Sequence, residues 1–542
     1  MKKINNFLIL LLISSSLFGQ DFPDNTHKWM RNPDNGDGTY SNPIINSDYS
    51  DPDAIRVENK FYMTASSFNC IPGLPILESD DLVNWKLIGY ALNRQKPEVT
   101  YDLAQHGNGV WAPCIRFHKK EFYIYYPDPD FGIYMTKAQK PEGPWSEPVM
   151  VKSGKGLIDP TPLWDDDGKV YLVYAFAGSR AGIKSILTIC TMNSNGTLAN
   201  NDDVLLIDGH EEEPTIEGPK IYKRNDYYYI FAPAGGVATG WQTVMRSKNI
   251  YGPYEKRKVL DQGTTTVNGP HQGAWVETAT GEDWFLHFQD KGIFGRVVHL
   301  QPMKWENDWP FMGIDTNDDG IGEPVTKFKK PNVGKSFPMV SPSDSDEFNE
   351  PKLGLQWQWH ANPKVNWGFP STMGFYTLNC IPKPRQALNL FDVPNLLLQK
   401  FPDDNFTATT KLQFNSYSDG DEAGLVIMGL DYNYLKLKKA NGKIFLSQMI
   451  CKNANKKELE KEMENVELKT NMIFLQVKVT ENGNCTFAFS EDGKIFTNIG
   501  IPFTAKEGKW IGAKLGFVAL REDFINDAGN IKIDWIRFNK IQ

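Results

Sequence analysis

The hydrophobic and polar positions of the first 320 residues repeat one pattern five times. In each unit a polar turn leads into a short strand rich in aromatic residues, and a second strand-like segment follows. The five aromatic strands are VENKFYMTAS from Val57, FHKKEFYIYY from Phe117, WDDDGKVYLVYAF from Trp164, YKRNDYYYIFAPA from Tyr222 and ETATGEDWFLHF from Glu277. Each unit is as long as a propeller blade and too small to bury its own faces. The repeat therefore predicts a five-bladed β-propeller over residues 21–322, with a sandwich of regular hairpins as the alternative.

The rest of the chain has a different pattern. Residues 344–542 alternate apolar and polar positions in short runs such as FTATTKLQF, AGLVIMGL, IFLQVKV and IKIDWIRF. This period-two alternation, with regular turns, predicts a β-sandwich, so the whole chain is expected to be all-β. Trp357 and Trp359 are two apart and face one side of a strand, where core packing is favoured and sugar binding is the alternative. Residues 323–343, rich in Lys, Pro and Ser, are predicted to be a linker.

Two polar segments interrupt these patterns. Residues 456–467 form the one obvious run of charges and are predicted to be a solvated hairpin loop or a short helix. Asp315, Asn317 and Asp319 are spaced like the start of an EF-hand loop. The twelfth position of that loop is Thr326 instead of Glu, so a polar turn is predicted in place of a calcium loop.

The N-terminal segment is typical of a secretory signal peptide. Residues 1–20 contain two early lysines, an apolar run over residues 7–13 and small residues before Gln20. That run is too short to span a bilayer, and no later segment is long and apolar enough to be a membrane helix. Because no Cys lies near the expected cleavage point, no lipid anchor is predicted. The protein is therefore expected to be secreted or periplasmic.

Composition narrows the possible partners. Aromatic residues make up 13% of the chain, with 45 Gly and 34 Pro, which suits a turn-rich β protein better than a helical bundle. The formal net charge of −8 lacks the basic balance that nucleic-acid binding requires. The six cysteines lack the spacing of a zinc site or a disulfide framework and are predicted to be buried free thiols.

The repeat also indicates where chemistry is to be expected. Each unit opens with a short apolar strand, and four positions before its leading Ile or Leu lie Asp51, Trp111, Asp159 and Glu217. In the fifth unit the equivalent position is His271 or Gln272. If these strands line the propeller axis, their side chains converge at one mouth of the central channel. Asp next to Pro is common in ordinary turns, but like charges gathered at equivalent positions of a repeat favour acid–base catalysis or cation binding.

Three carboxylates in one pocket suit the cleavage of a glycosidic bond. That reaction needs an acid to protonate the leaving oxygen and a second carboxylate that activates water or attacks the sugar. Glu217 has the longer side chain and lies among Ile216, Gly218 and Pro219, so it is assigned as the proton donor. Asp51 is then the base, and Asp159 the residue that tunes the acid. The sequence alone does not choose between inversion and retention.

Several motifs in order resemble glycoside hydrolase family 43, whose members have five-bladed propellers. They are NPIINSDYSDPDAI, SSFNCIPGLPILESDDLVNW, GVWAPCI, LIDPTPLWDDDG, IEGPKI and HQGAWV, between residues 42 and 320. The resemblance implies that Asp51 is the catalytic base, Asp159 the pKa-modulating acid and Glu217 the general acid. It also implies inversion of the anomeric configuration.

The resemblance implies further site residues. Phe68 and Trp111 resemble the aromatic walls around the terminal sugar, and Arg296 in FGRVVHL resembles an arginine that binds substrate hydroxyls. His271 lies where many members place a histidine beneath the pocket, sometimes beside calcium. Trp241, with its neighbour Gln242, is a rim candidate or a packing residue.

The C-terminal half resembles the concanavalin-like sandwich of the β-xylosidase and arabinofuranosidase branches. The motifs are SDEFNEPKLGLQWQW and IKIDWIRF, where Glu347 and Asp534 are a second candidate calcium site. No cofactor is expected to be required. In related enzymes this sandwich reaches over the pocket mouth, which favours exo-action.

Three classes of function follow. The first is an exo-acting glycosidase that releases terminal β-D-xylose from xylo-oligosaccharides or xylan, with α-L-arabinofuranosidase activity on arabinoxylan, arabinan or xyloglucan side chains as its rival. Arg296 and the sandwich favour xylose. The second is a non-catalytic sugar-binding propeller, against which the three acids argue, and the third is an adhesion scaffold. The oligomeric state is left open.

Overall fold

The computed structural model describes residues 30–522 and 527–541. The predicted signal peptide lies outside these residues. Strands dominate the structure, and no helix among the described residues is long and apolar enough to cross a membrane. The six cysteines are buried and unpaired, as predicted.

The N-terminal half is a five-bladed β-propeller, which confirms the repeat. Each blade is an antiparallel sheet of four consecutive strands, with the first strand innermost. A short strand, β1 (Thr39–Ser41), precedes the blades. Blades 1 and 2 comprise β2 (Asp53–Val57), β3 (Lys60–Thr64), β4 (Gly73–Ser79), β5 (Trp85–Leu92), then β6 (Cys114–His118), β7 (Glu121–Asp128), β8 (Gly132–Ala138) and β9 (Val149–Ser153). Blades 3 and 4 comprise β10 (Leu157–Trp164), β11 (Val170–Phe176), β12 (Ile186–Met192), β13 (Val204–Asp208), then β14 (Lys220–Arg224), β15 (Tyr227–Ala234), β16 (Trp241–Ser247) and β17 (Glu255–Leu260). Blade 5 comprises β18 (His271–Glu277), β19 (Asp283–Asp290), β20 (Arg296–Glu306) and β21 (Trp309–Met312).

The short helices of the propeller lie in loops. They are α1 (Glu98–Tyr101), α2 (Gly178–Ala181) and a 3₁₀ turn at Gly292–Phe294.

The ring is closed by the segment that precedes blade 1. β1 pairs with β22 (Lys327–Lys329), and Ile45 forms an antiparallel bridge with Val298 of blade 5. The Tyr40 hydroxyl donates to the carbonyl of Leu300 at 2.7 Å. Buried side chains of blades 1 and 5 share one apolar core that includes Tyr40, so burial holds the first and last blades together.

The predicted linker is shorter than expected. Glu323 bridges to Ile314 of the propeller and is buried, and β22 is part of the closure. Residues 323–329 therefore belong to the propeller, and the domain boundary expected at residue 322 is corrected to about residue 329. Composition misled here because Lys and Pro are typical of linkers, whereas pairing with β1 depends on a segment almost 300 residues away.

The C-terminal half is a sandwich of two eight-stranded sheets. The first sheet has the order β23-β27-β37-β29-β30-β31-β32, with β26 also on β37, and the second has the order β24-β25-β38-β28-β33-β34-β35, with β36 on β34. The strands from β23 to β30 are β23 (Gln358–Trp359), β24 (Gly368–Ser371), β25 (Phe375–Asn379), β26 (Ile381–Pro382), β27 (Leu397–Lys400), β28 (Phe406–Asn415), β29 (Glu422–Met428) and β30 (Tyr432–Ala440). The remaining strands are β31 (Lys443–Cys451), β32 (Lys461–Leu468), β33 (Met472–Val479), β34 (Asn484–Ser490), β35 (Thr497–Asn498), β36 (Phe503–Thr504), β37 (Lys514–Arg521) and β38 (Asn530–Lys540). Two 3₁₀ turns lie at Leu390–Asp392 and Ala454–Lys456.

Two sequence interpretations are resolved in this domain. Trp357 and Trp359 are both buried in the sandwich core, as the packing interpretation predicts. The charged run at 456–467 is neither a hairpin loop nor a helix over most of its length, because Lys461–Leu468 is the edge strand β32. Its Met463 and Val466 pack on the core while the charged neighbours are exposed, which is how natural proteins protect a sheet edge.

The two domains share a continuous interface. Ile71 of the propeller and Trp359 of the sandwich exchange backbone hydrogen bonds of 3.0 and 2.6 Å. Beside them, the Ala513 N–H donates to the Ile293 carbonyl at 2.7 Å, and the Gly512 N–H donates to Asp48 at 3.0 Å. These contacts fix the loop that precedes β37 against the propeller end where the inner strands begin.

Candidate active site

One end of the propeller gathers the predicted residues. In each blade the start of the innermost strand pairs with the end of the second strand, as Leu157 pairs with Phe176 in blade 3. The loops after the second strands therefore surround the same mouth. They are residues 65–72, 129–131, 177–185, 235–240 and 291–295.

Asp51 is buried at this mouth and is held by three donors. The hydroxyls of Ser50 and Ser66 donate to its Oδ2 at 2.7 and 2.5 Å. The Arg296 guanidinium donates to its Oδ1 at 3.2 Å. Two donors occupy the lone pairs of Oδ2, and one lone pair of Oδ1 stays available for a further donor such as water.

Asp159 and Glu217 form a coupled pair of carboxyl groups. The Gly218 N–H donates to Asp159 Oδ2 at 2.7 Å, which ties Asp159 to the residue that follows Glu217. Burial, reinforced by the negative charge of Glu217, raises the pKa of Asp159 to about 8, although the Gly218 N–H and Lys220 oppose the shift. Asp51 contributes to the same shift, so the three acids act on one another electrostatically. Near pH 7 the Asp159–Glu217 pair therefore retains a proton.

His271 contacts Glu217 directly. Its Nε2 lies 2.9 Å from Glu217 Oε1, and its ring is fully buried while the Glu217 side chain is 31% exposed. The second carboxylate oxygen of Glu217 thus remains available to the mouth. His271 is a positioning residue for Glu217 in this geometry.

The calcium expected beside His271 stays a prediction. His271 Nδ1 and the Gln272 amide oxygen are buried without a hydrogen-bond partner in the structure. No group of three or more His, Cys, Asp or Glu among residues 30–522 and 527–541 is arranged to hold a metal, and Ca²⁺ takes six to eight oxygen ligands.

The second calcium candidate, formed by Glu347 and Asp534, also stays a prediction. Glu347 forms a two-point ion pair with Arg537 at 2.7 and 2.8 Å, and Asp534 pairs with Lys411 at 2.7 Å. Each carboxylate therefore has a cationic partner in the structure.

The backbone has positive φ angles at several positions around the acids. Asp51 and Asp159 both have φ of 55°, and Gln272 has φ of 34°. Gly218 has φ of 58°, and a Cβ at this position would lie 2.6 Å from Gln272 Cγ. Non-glycine residues in the left-handed region are uncommon and concentrate at functional sites. These bends redirect side chains at the entry to the inner strands of blades 1, 3, 4 and 5.

Aromatic rings from both domains line the mouth. Phe68 and Trp111, the two predicted walls, meet edge to face with centroids 6.4 Å apart. Trp510 of the sandwich also meets Trp111 edge to face, with centroids 6.2 Å apart. It also lies 5.9 Å from the Arg296 guanidinium.

A cleft of about 280 Å³ continues from Trp510 and Arg296 between the two domains. It is lined by Asp290, Gly292, Gly295, Arg296, Leu430 and residues 507–511. The predicted reach of the sandwich to the mouth is therefore present.

Trp241 differs from its prediction as a substrate contact. Its indole N–H donates to Glu213 and to Thr243, both at 3.1 Å, and Lys258 lies over its ring. These contacts are within blade 4 and its approach loop, and they favour the packing interpretation. The neighbouring Gln242 is buried and donates to the Thr243 carbonyl.

Sequence reasoning missed Ser66 and Trp510. Ser66 stands two residues before Phe68 in SSFNC and is recognisable only once its hydroxyl is seen on Asp51. Trp510 stands between Gly508 and Gly512 in a polar segment, and an isolated Trp flanked by glycines was the available signal.

Comparisons with known proteins agree with both halves of the chain. Residues 40–310 match the model of glycosyl hydrolases family 43, and residues 345–539 match that of the β-xylosidase C-terminal concanavalin A-like domain. A protein from Xylanibacter ruminicola, named as a candidate β-xylosidase, is 40% identical over 491 residues, which cover 89% of this chain and 86% of the relative.

Two further relatives differ in their named activities. A β-xylosidase of Formosa agariphila is 31% identical over 555 residues, covering 93% of this chain and 91% of the relative. A non-reducing end α-L-arabinofuranosidase of Bacteroides ovatus is 31% identical over 432 residues, covering 76% and 77%. Among solved structures, the GH43 protein BlXynB (K247S) of Bacillus licheniformis is 25% identical with a TM-score of 0.79, covering 93% of this chain and all of its own.

Proposed function

The chain belongs to glycosyl hydrolase family 43, and from this premise we propose that it is an exo-acting, inverting β-xylosidase that releases terminal β-D-xylose from xylo-oligosaccharides or xylan. Family membership makes it a glycosidase acting on a carbohydrate substrate, which removes the binding-only and scaffold hypotheses. The observation that carries the proposal is the set of three mutually coupled carboxyl groups at one propeller mouth.

Glu217 is the proposed general acid. Its Oε1 is bonded to His271, so its second oxygen is the one that reaches the glycosidic oxygen. Cleavage of that bond develops negative charge on the leaving oxygen, and the proton from Glu217 neutralises it. The His271 contact then stabilises the carboxylate that remains.

Asp51 is the proposed general base. Ser50, Ser66 and Arg296 fix its carboxylate and leave a lone pair of Oδ1 for water. As that water attacks the anomeric carbon from the face opposite the leaving group, Asp51 takes its proton. Because Asp51 activates water and does not itself attack the sugar, the anomeric configuration is inverted.

Asp159 is the proposed tuning residue. It is buried, does not reach solvent and is connected to Glu217 through the Gly218 N–H and through charge. Burial and mutual repulsion disfavour two negative charges in this pair, so the pair keeps one proton near pH 7, and catalysis uses the state in which Glu217 carries it.

Exo-action is supported by the walls of the mouth. Trp510 of the sandwich lies against Trp111 and Arg296, and the buried Phe68 packs edge to face with Trp111. A pocket walled by three aromatic rings suits the end of a sugar chain better than its middle.

Two observations favour xylose as the released sugar. The relatives named as β-xylosidases match nearly the full chain, and Arg296 is placed to bind a sugar hydroxyl beside the base. α-L-Arabinofuranosidase activity is the second candidate, supported by the Bacteroides ovatus relative.

The direct test measures kcat/KM on nitrophenyl β-D-xyloside and nitrophenyl α-L-arabinofuranoside. We expect faster cleavage of the xyloside and, by proton NMR, an α-xylose product formed first. Preference for the arabinofuranoside would replace the sugar assignment, β-xylose as the first product would overturn inversion, and cleavage of neither would overturn the proposed activity.

The localisation proposal rests on the N-terminal sequence. We propose that residues 1–20 direct the chain out of the cytoplasm and are removed. The mass of the protein recovered from its producing cells tests this: an unprocessed N-terminus in the cytoplasmic fraction would contradict it.

A further inference from the structure

Trp111 has a charged neighbour that none of the proposed roles uses. The Arg180 guanidinium lies 5.4 Å from the centre of the Trp111 ring. Arg180 is in α2, within the 177–185 loop, which is one of the five loops around the mouth. Its side chain is 23% exposed, so it reaches solvent there.

The backbone holds α2 firmly in place. The Ala177 N–H donates to the Gly156 carbonyl at 2.8 Å, and the Ala177 carbonyl accepts from Arg180 and Ala181 at 2.9 Å. Gly156 has φ of 80°, and a Cβ there would lie 2.5 Å from the Ala181 Cβ, so only glycine permits this approach. Arg180 therefore projects from a rigid turn.

The guanidinium is oriented but not saturated. Its Nε pairs with Asp130 at 3.4 Å, while Nη1 donates to Ser179 at 3.0 Å and Nη2 to Asn108 at 2.8 Å. Guanidinium has five N–H donors, so Nη1 and Nη2 each keep one without a partner among the described residues. Two adjacent donors on a planar, exposed group suit neighbouring hydroxyls of a sugar ring.

The 177–185 loop lies on the acid side of the mouth. Ser185 accepts the Gly209 N–H through its carbonyl at 2.8 Å and the Thr215 N–H through its hydroxyl at 2.9 Å. Residues 209–216 lead directly into Glu217. The base Asp51 and its partner Arg296 lie instead at the junction of blades 1 and 5. The leaving group departs on the side of the proton donor.

We infer that Arg180 is a specificity-determining residue for the leaving-group sugar, donating hydrogen bonds to the hydroxyls of the sugar unit next to the scissile bond. The inference rests on the proposed function, because it needs a substrate that extends beyond the released sugar. Asn108 and Asp130 position the guanidinium, and Trp111 supplies the ring over which it lies.

The test compares two substrates that differ only beyond the scissile bond. The measured quantity is the ratio of kcat/KM on xylobiose to kcat/KM on nitrophenyl β-xyloside, for the wild type and for Arg180→Met. We expect the ratio to fall at least tenfold, mainly through KM, because the aryl group offers no hydroxyls to the guanidinium. Asn108→Ala, which frees Arg180 without removing it, should give a smaller fall in the same ratio.

The matched control is Arg257→Met. Arg257 also lies over an indole, that of Trp309 at 4.5 Å, but on the outermost strand of blade 4. Its ratio should equal that of the wild type. An unchanged ratio in Arg180→Met would overturn the inference. If both activities fell equally, Arg180 would only support the Trp111 wall, and if neither fell, it would not contact the substrate. A wild type that cleaves neither substrate would overturn the proposed function, and the inference with it.

Discussion

At the scale of single residues, the fold buries the carboxyl group of Asp159, which disfavours its charged form. Its carboxyl group is buried and faces the charge of Glu217, which raises its pKa to about 8. A raised pKa means that the native state binds the proton more tightly than the unfolded chain does. Its favourable contribution is therefore complete below about pH 4 and is lost as the pH rises through 8.

Asp159→Asn should consequently stabilise the protein while impairing catalysis. Relative to the wild type, the free energy of unfolding of the variant should rise by about 1.4 kcal/mol per pH unit between pH 4 and 8 and then level off. Thermal melting across this range measures the effect, with the exposed Asp166→Asn as the control. Parallel pH profiles for Asp159→Asn and the wild type would contradict the account.

The repeat places the three acids at equivalent positions, and from this the sequence predicted that they come together at one mouth, where the structure has them. Ser66 and Arg180 carried no such signal, since their importance arises from contacts with Asp51 and Trp111 in other parts of the chain. Trp241 shows the converse: the resemblance made it a rim candidate, yet its indole N–H is satisfied by Glu213 and Thr243.

At the scale of elements, the loop before β37 joins the sandwich to the site. Gly508 and Gly512 flank Trp510, whose side chain is 42% exposed and touches Trp111 and Arg296. An exposed ring contributes little to folding, while a ring that walls a sugar pocket contributes to binding.

Trp510→Ala should therefore separate activity from stability. We expect kcat/KM on nitrophenyl β-xyloside to fall by about tenfold, which corresponds to about 1.4 kcal/mol, with little change in melting temperature. Phe369→Ala, which removes a similarly exposed ring from β24, serves as the control and should leave both quantities unchanged. Wild-type kinetics in Trp510→Ala would contradict a role for Trp510 as a wall of the sugar pocket.

Strand patterns were the most predictable elements, because each alternation is local. All five aromatic strands and the segments after them appear as the second and third strands of blades. The charged run at 456–467 was misjudged because an edge strand with one exposed face resembles a solvated loop in composition. The bends at Asp51 and Asp159 were not predictable, since both positions depart from the conformation that their residue type favours.

At the scale of the whole molecule, two all-β domains build one site. The propeller supplies the acids and most of the walls, and the sandwich closes one side through Trp510 while Gly512 and Ala513 anchor its loop to the propeller. The two-domain organisation followed from the change of pattern along the sequence. The interface did not, because it depends on pairings such as Ile71 with Trp359 that are almost 300 residues apart.

The central claim is that Glu217 donates the proton and Asp51 activates water, and the dependence on leaving group tests it most directly. Dinitrophenyl β-xyloside needs no proton on departure, whereas xylobiose does. For Glu217→Gln we predict a loss in kcat/KM on xylobiose at least about 100-fold greater than on the dinitrophenyl substrate, and for Asp51→Asn a large loss on both. Equal losses on the two substrates in Glu217→Gln, or wild-type rates in either variant, would contradict the assignment.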